Sequence, residues 1–183
     1  DGGQAKGANG AGAPKQVAFD RAIELLKPLF EDASVLKVGH NIKYDAQVLA
    51  RYGIAIRPVD DTMVLSYVLE GGMHGHGLDE LASLHLDHET IKYADVAGSG
   101  RKRVSFEYVP LAAAVDYAAE DADITGRLHR LLKPRLAADR MVTVYETLER
   151  PLIAVLTEME RAGIKVDKAA LEALSKDFAG RLV

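Results

Sequence analysis

Two short apolar runs flank a helical stretch near the start of the chain, and this constrains the fold more than any other feature. "SVLKVG" (34–39) reads as a buried strand, "NIKYDAQVLA" (41–50) as a helix and "IAIRPV" (54–59) as a second strand interrupted by Pro58. Parallel strands need a crossover of helical length between them, and such crossovers are right-handed, so this order predicts a βαβ unit. Within the helix Ile42, Ala46 and Leu49 share one face. Asn41 is the expected N-cap and Gly53 stands where a C-terminal glycine belongs. The fold class is therefore α/β.

Helical patterning dominates the remainder. Val17, Ala22, Leu25, Leu26 and Leu29 recur at helical spacing between Gln16 and Glu31. Asp61 is placed to cap a helix from Thr62 to Leu69, and "LDELASLHL" is a short amphipathic helix. Residues 87–109 are irregular. Pro110 opens a long helix that Pro134 is expected to end, and another helix runs to about Ala162, kinked by Pro151. "GIKVD" (163–167) reads as a short strand before a final helix. Residues 1–15, rich in Gly and Ala, have too little apolar surface to offset ordering entropy and read as a flexible loop or tail.

Bulk properties remove several classes. The 183 residues carry a net charge of −4, without the basic stripe expected of a protein that grips long duplexes. The absence of cysteine excludes disulfides and cysteine-ligated zinc, and it fits a reducing cytoplasm. No apolar run approaches a membrane span of about 20 residues, and the N-terminus lacks the pattern of a signal peptide.

Two stretches hold residues suited to chemistry. In "DYAAEDAD" (116–123), Tyr117 and Asp121 are one helical turn apart, with small alanines beside them. The stretch is either a solvated acidic face or part of a cation site. Asp45 is either a favourable charge in the first turn of its helix or a ligand at the C-terminal end of a strand, where α/β proteins place their sites. Carboxylates from two elements that converge would suit hard divalent cations, which take oxygen ligands and clamp phosphate oxygens.

Read together, "NIKYD" and "YAAED" resemble the second and third motifs of the DEDD-superfamily exonucleases, tyrosine subtype. "KVGHNIKYDAQVLARYGI", "DDTMVLSYVLE", "HGLDELA", "YAAEDADIT" and "ERPLIAVLTEMERAGIKVD" are similar in order and spacing to the proofreading region of the family A DNA polymerases. The resemblance covers roughly residues 16–183. It implies a ribonuclease H-like 3′–5′ exonuclease fold over 16–145 and the start of a polymerase domain over 146–183. It further implies a pair of Mg²⁺ or Mn²⁺ ions acting on the single-stranded 3′ end of DNA. Asp45 and Asp121 match metal-binding aspartates, and Tyr117 matches the tyrosine that orients the attacking water. Asn41 and Tyr44 match contacts to the 3′ end, and Tyr93 matches an aromatic against the terminal bases, with an ordinary packed tyrosine as the alternative. His40 and His76 also fall within matched segments, without a catalytic role.

The resemblance also implies an upstream Asp-x-Glu on a central strand, which residues 1–15 do not supply. Asp87-His88-Glu89 has the right letters but follows Asp45 and lies in an irregular segment, so it is a decoy. The expectation is a truncated fold whose first strands are missing, with little exonuclease activity as an isolated chain. A strand edge left unpaired is expected to invite self-association, or else to leave a mostly helical and loosened fold. The basic loop Arg101-Lys102-Arg103 is either a solvated charge run or a phosphate contact. Two other functions stay open: a primer-end binding module without catalysis, and a standalone RNA-processing exonuclease.

Overall fold

The computed structural model describes residues 17–182, so the Gly/Ala-rich segment 1–15 lies outside the described residues. The βαβ unit is present, but with shorter strands than predicted. β1 is Lys37–Gly39 and β2 is Val59–Asp61; they pair in parallel with Lys37 opposite Val59 and Gly39 opposite Asp61. The second strand thus begins after Pro58, and "IAIRP" is irregular. Pro58 has no N–H to donate, and pairing starts only where the chain regains its donors. Between the strands runs α2 (Ile42–Ala50), preceded by α1 (Phe19–Glu31).

Helices then form a layer on this small sheet. They are α3 (Thr62–Glu70), α4 (Leu78–Leu86), the short α5 (Tyr93–Ala97) and the long α6 (Leu111–Ala138). Ile124, Leu128, Leu132 and Leu136 recur every fourth residue along α6 and are buried against Leu65 of α3 and Leu81 and Ala82 of α4. This stripe explains why Pro134 does not end α6, as predicted, but sits inside it. A proline in a helix interior costs about 3 kcal/mol. Burying one leucine side chain returns roughly 1.5–3 kcal/mol, and Leu132 and Leu136 lie on either side of the proline.

After a single-turn α7 (Val142–Val144), Tyr145–Glu149 forms a π-helical turn and α8 (Arg150–Ala162) follows with Pro151 in its first turn. The wide turn sits at the junction where Pro151 offers no N–H to a regular ladder. Tyr145 is fully buried, and its hydroxyl donates to Asp60 Oδ1 at 3.1 Å. Asp60, also fully buried, receives His129 Nε2 at 2.8 Å, Lys133 Nζ at 3.0 Å and Arg150 Nε at 3.2 Å. One carboxylate therefore ties β2 to α6, the π turn and α8.

"GIKVD" is not a strand: Ile164 is 90% exposed and no strand lies beside it among the described residues. β propensity without a partner leaves the segment as a connector. α9 (Lys168–Arg181) follows, capped by Asp167, which accepts from Ala170 N at 3.0 Å. No helix among the described residues is long and apolar enough to cross a membrane.

Candidate functional site

The turn between β1 and α2 builds one wall of the site. Asn41 occupies the N-cap position, but in the left-handed conformation (φ 55°) and with no side-chain cap bond, contrary to the expected capping role. The cap comes from across the sheet. Asp61, buried at the end of β2, accepts Asn41 N at 3.0 Å and Ile42 N at 2.8 Å. The same carboxylate accepts Met63 N at 2.8 Å and so caps α3, the role the sequence predicted for it. Gly39 is required just before this turn, because a Cβ there would meet Ile42 Cγ1 at 2.8 Å. Freed of capping, the Asn41 side chain is exposed at the mouth of a cleft of about 930 Å³.

That cleft brings together five of the six residues picked from sequence: Asn41 from the turn before α2, Tyr44 and Asp45 from α2, Tyr117 and Asp121 from α6. Tyr44 is 68% exposed and free to meet a ligand. Tyr93 does not line the cleft. Its ring stacks on Phe106 with centroids 6.1 Å apart and meets the Tyr117 ring edge-on at 6.2 Å. It is thus a packed tyrosine at the flank of the cleft, still part of a three-ring cluster that reaches the site through Tyr117.

Lys37 lines the cleft, but its ammonium is turned to the Asp32 and Arg57 carbonyls rather than to the acids. Among the described residues neither Asp45 nor Asp121 forms a salt bridge, unlike their neighbours Lys43, which pairs with Glu160, and Asp123, which pairs with Arg127. Burial pushes the Asp121 carboxyl above the ordinary carboxylate range; the charges of Asp79 and Glu120 add to this, and the Tyr117 hydroxyl opposes it. Asp45 is open to solvent as a residue, yet desolvation by the cleft also raises its carboxyl, with a smaller push from Asp61. Burial and the neighbouring Asp121 charge keep the Tyr117 phenol protonated. Two carboxylates without ion-pair partners, with the Tyr117 phenol beside Asp121 on α6, fit a hard divalent cation, since oxygen donors are what Mg²⁺ and Mn²⁺ prefer.

The other acids of "DYAAEDAD" are accounted for differently. Glu120 faces away from the cleft, accepting His88 Nε2 at 2.8 Å and Ile91 N at 2.6 Å. The Asp87-His88-Glu89 decoy is used structurally: Asp87 ends α4 in the left-handed conformation and Glu89 accepts from Ser83. His40 lines the cleft, with Nδ1 2.9 Å from Thr62 Oγ1; burial lowers its pKa, and Nε2 has no partner. His76 bonds Ser66 Oγ at 2.8 Å, a packing role. Arg101, Lys102 and Arg103 are exposed, and the Arg103 guanidinium sits 5.3 Å over the Tyr93 ring.

Sequence reasoning missed one wall residue and one supporting contact. Asp79 lines the cleft at the start of α4, where it reads simply as a first-turn acid. Asp61 was legible as a cap for α3, but its hold on α2 needed the parallel pairing of β1 with β2.

This pairing of a βα turn with an acidic helix is the arrangement of the ribonuclease H-like exonucleases, and the comparisons with known proteins agree. A family profile described as 3′–5′ exonuclease, of the DNA polymerase A type, matches residues 4–137. The chain belongs to this 3′–5′ exonuclease family. It is 52% identical over 167 residues to DNA polymerase I of Rhizobium leguminosarum, an alignment covering 91% of this chain and 16% of that protein. DNA polymerase I of Pseudomonas aeruginosa is 42% identical, with 94% of this chain and 19% of that protein covered. The chain thus spans less than a fifth of the length of these relatives. Among solved structures, Brucella melitensis NrnC with bound Mg²⁺ is similar at a TM-score of 0.62 and 28% identity, covering 78% of this chain and 67% of that one. The POL domain of Pol1 from M. smegmatis, in complex with DNA primer-template and dNTP, gives 0.60 and 26%, covering 90% and 25%.

Proposed function

We propose that this chain is the proofreading region of a DNA polymerase I, acting in the parent protein as a 3′–5′ exonuclease on single-stranded DNA ends. The observation that carries this reading is the cleft itself, lined by Asp45, Tyr117 and Asp121 with neither aspartate ion-paired among the described residues, in a chain that matches a 3′–5′ exonuclease family. Residues 16–145 belong to the exonuclease part and 146–183 to the start of the polymerase part. Supporting this division, the family match ends at 137 while the DNA polymerase I alignments continue over nine-tenths of the chain.

Asp45 and Asp121 would hold Mg²⁺ or Mn²⁺, which supplies a polarised water and charge stabilisation for phosphodiester hydrolysis. Tyr117, kept protonated, offers its hydroxyl to position the attacking water. Asn41 and Tyr44 hold the terminal nucleotides at the cleft mouth. Tyr93, stacked on Phe106 and overlaid by Arg103, would reach the terminal bases only if Arg103 swung aside, and base stacking there would be worth about 1–3 kcal/mol per base. This 183-residue chain carries two of the four carboxylates that the family pattern implies, so by itself it is expected to be nearly inactive.

The test uses a 3′-labelled single strand with Mg²⁺ or Mn²⁺. In a DNA polymerase I containing this region, Asp121→Ala and Tyr117→Phe should each remove most 3′–5′ degradation while polymerisation persists. Unchanged degradation by the Asp121→Ala protein would overturn the assignment. Degradation by the isolated chain that Asp121→Ala abolishes would overturn the incomplete-site reading. The likeness to NrnC, one structure of which is bound to pGG, supports a second reading as an exonuclease of short oligonucleotides. Comparing single strands with dinucleotides in the same assay separates the two.

A further inference from the structure

A second cluster of ligand-type side chains lines a neighbouring cleft that shares Asp79 with the acidic one. Glu70 ends α3, His74 lies in the turn that follows and His85 is on α4. Nε2 of His74 is 2.9 Å from Glu70 Oε2, and Nε2 of His85 is 3.0 Å from the same oxygen. One donor atom from each of the three lies within 4.8 Å of the others. Their side chains are 11–15% exposed and line a cleft of about 810 Å³.

We propose that Glu70, His74 and His85 form a binding site for a transition-metal ion of the zinc class, with water as the remaining ligand. Two imidazoles and one carboxylate are an established zinc donor set, and imidazole nitrogen selects against Mg²⁺ and Ca²⁺. The spacing is close to what the ion needs. Tetrahedral bonds of about 2.0–2.1 Å put donors about 3.3 Å apart, so separations of 2.9 and 3.0 Å need to widen by only a few tenths of an ångström. Both ends of the set are oriented by outer partners, as metal ligands usually are. His74 Nδ1 donates to the Gly75 carbonyl at 2.6 Å, which leaves Nε2 as the ligand atom. Glu70 Oε1 is held by Arg135 Nη1 of α6 at 2.7 Å, which leaves Oε2 for the ion. Glu80, which accepts Gly75 N at 2.9 Å, adds a negative charge beside the turn and offsets Arg135.

The consequence is structural. The turn between α3 and α4 contains Gly71, Gly72, Gly75 and Gly77, a costly segment to order. An ion bridging Glu70, His74 and His85 would close that turn. The turn runs directly into Gly77, Leu78 and Asp79, which line the acidic cleft. This site is separate from the Mg²⁺ or Mn²⁺ site, and it stands or falls independently of the exonuclease reading.

The test is titration of the metal-stripped, tag-free chain with Zn²⁺ in excess Mg²⁺, and with Co²⁺ as a visible probe. One equivalent should bind, Tm should rise with Zn²⁺ concentration, and Co²⁺ should give the intense visible bands of four-coordinate geometry. His74→Gln and His85→Gln should each remove those bands, while Asp121→Asn should retain them. Absence of saturable one-to-one binding would leave an ion-free hydrogen-bonded cluster and overturn the proposal. So would Co²⁺ bands that persist in the doubly substituted chain. If either variant fails to fold, the Co²⁺ spectrum of the unaltered chain decides alone.

Discussion

Replacing Asp61 with Asn should loosen the turn that carries Asn41, Tyr44 and Asp45, although the substitution changes one atom and Asp61 itself does not line the cleft. Asp61 Oδ1 accepts Asn41 N and Met63 N, at 3.0 and 2.8 Å, and Oδ2 accepts Ile42 N at 2.8 Å. An asparagine oxygen can replace Oδ1, but its NH₂ would then face the Ile42 N–H, donor against donor. A hydrogen bond to a charged group is worth about 1.5–3 kcal/mol, and weakening the α3 cap adds up to roughly 1 kcal/mol. Because Asp61 is buried, water does not replace the lost acceptor. The expected loss is about 1.5–4 kcal/mol by these figures, or a fall in Tm of roughly 3–16 °C for a chain of this size. Urea denaturation measures the loss, and amide hydrogen exchange at Asn41 and Ile42 locates it. Asp61→Ser provides the internal control, since serine can cap α3 through Met63 N but cannot reach the α2 turn. If Asp61→Asn melts within about 0.5 kcal/mol of the parent, as ordinary surface changes do, the cross-sheet cap is not what holds the site.

Asp60→Asn should cost about 1.5–3 kcal/mol, the worth of a hydrogen bond to a charged group, because it removes the buried carboxylate shared by the half-buried His129, Lys133 and Arg150, of which the last two keep Glu146; equilibrium unfolding checks this. Burial favours a raised Asp60 pKa, but hydrogen bonds from His129 and Lys133 and the charges of Lys133 and Arg150 hold it below the ordinary value. Its stabilisation is therefore complete above the unfolded pKa of about 4 and is lost as pH falls through the lower folded value. Acid titration of the Asp60→Asn chain should accordingly lack part of that loss. Replacing Arg101, Lys102 and Arg103 with Gln should weaken single-strand binding and reduce its salt slope, and an unchanged slope would mark the loop as merely solvated. The outer edge of β1 pairs with no strand among the described residues, so light scattering should show concentration-dependent association; a monomer at high concentration would refute it.

Most of the architecture was legible because it rests on local patterns. The α4 prediction matched residue for residue, and α3 extended one residue beyond its predicted end. Both helices are set by local apolar spacing, and α3 also by its Asp61 cap, whereas α4 starts at Gly77 without a side-chain cap. The misses share another cause. Pro134 lies within α6 because tertiary burial of Leu132 and Leu136 outweighs the local penalty. "GIKVD" is not a strand because no partner stands beside it, and "IAIRPV" pairs only after its proline.

The candidate site divides along the same line. The sequence by itself determined which side chains exist for the chemistry: Asp45 and Tyr44 at the start of one helix, Tyr117 and Asp121 one turn apart on another. It also contained the family pattern that singles them out. Only the tertiary structure decided that these two helices face one cleft, that Asp79 joins them and that Glu120 turns away. It also decided that the turn at Asn41 is held by Asp61 rather than by its own side chain. Periodicity and capping act over a few residues and are written in the order of the chain. A carboxylate spanning two strands, or two acids from helices some 70 residues apart, depends on how the chain packs, and that no local pattern records.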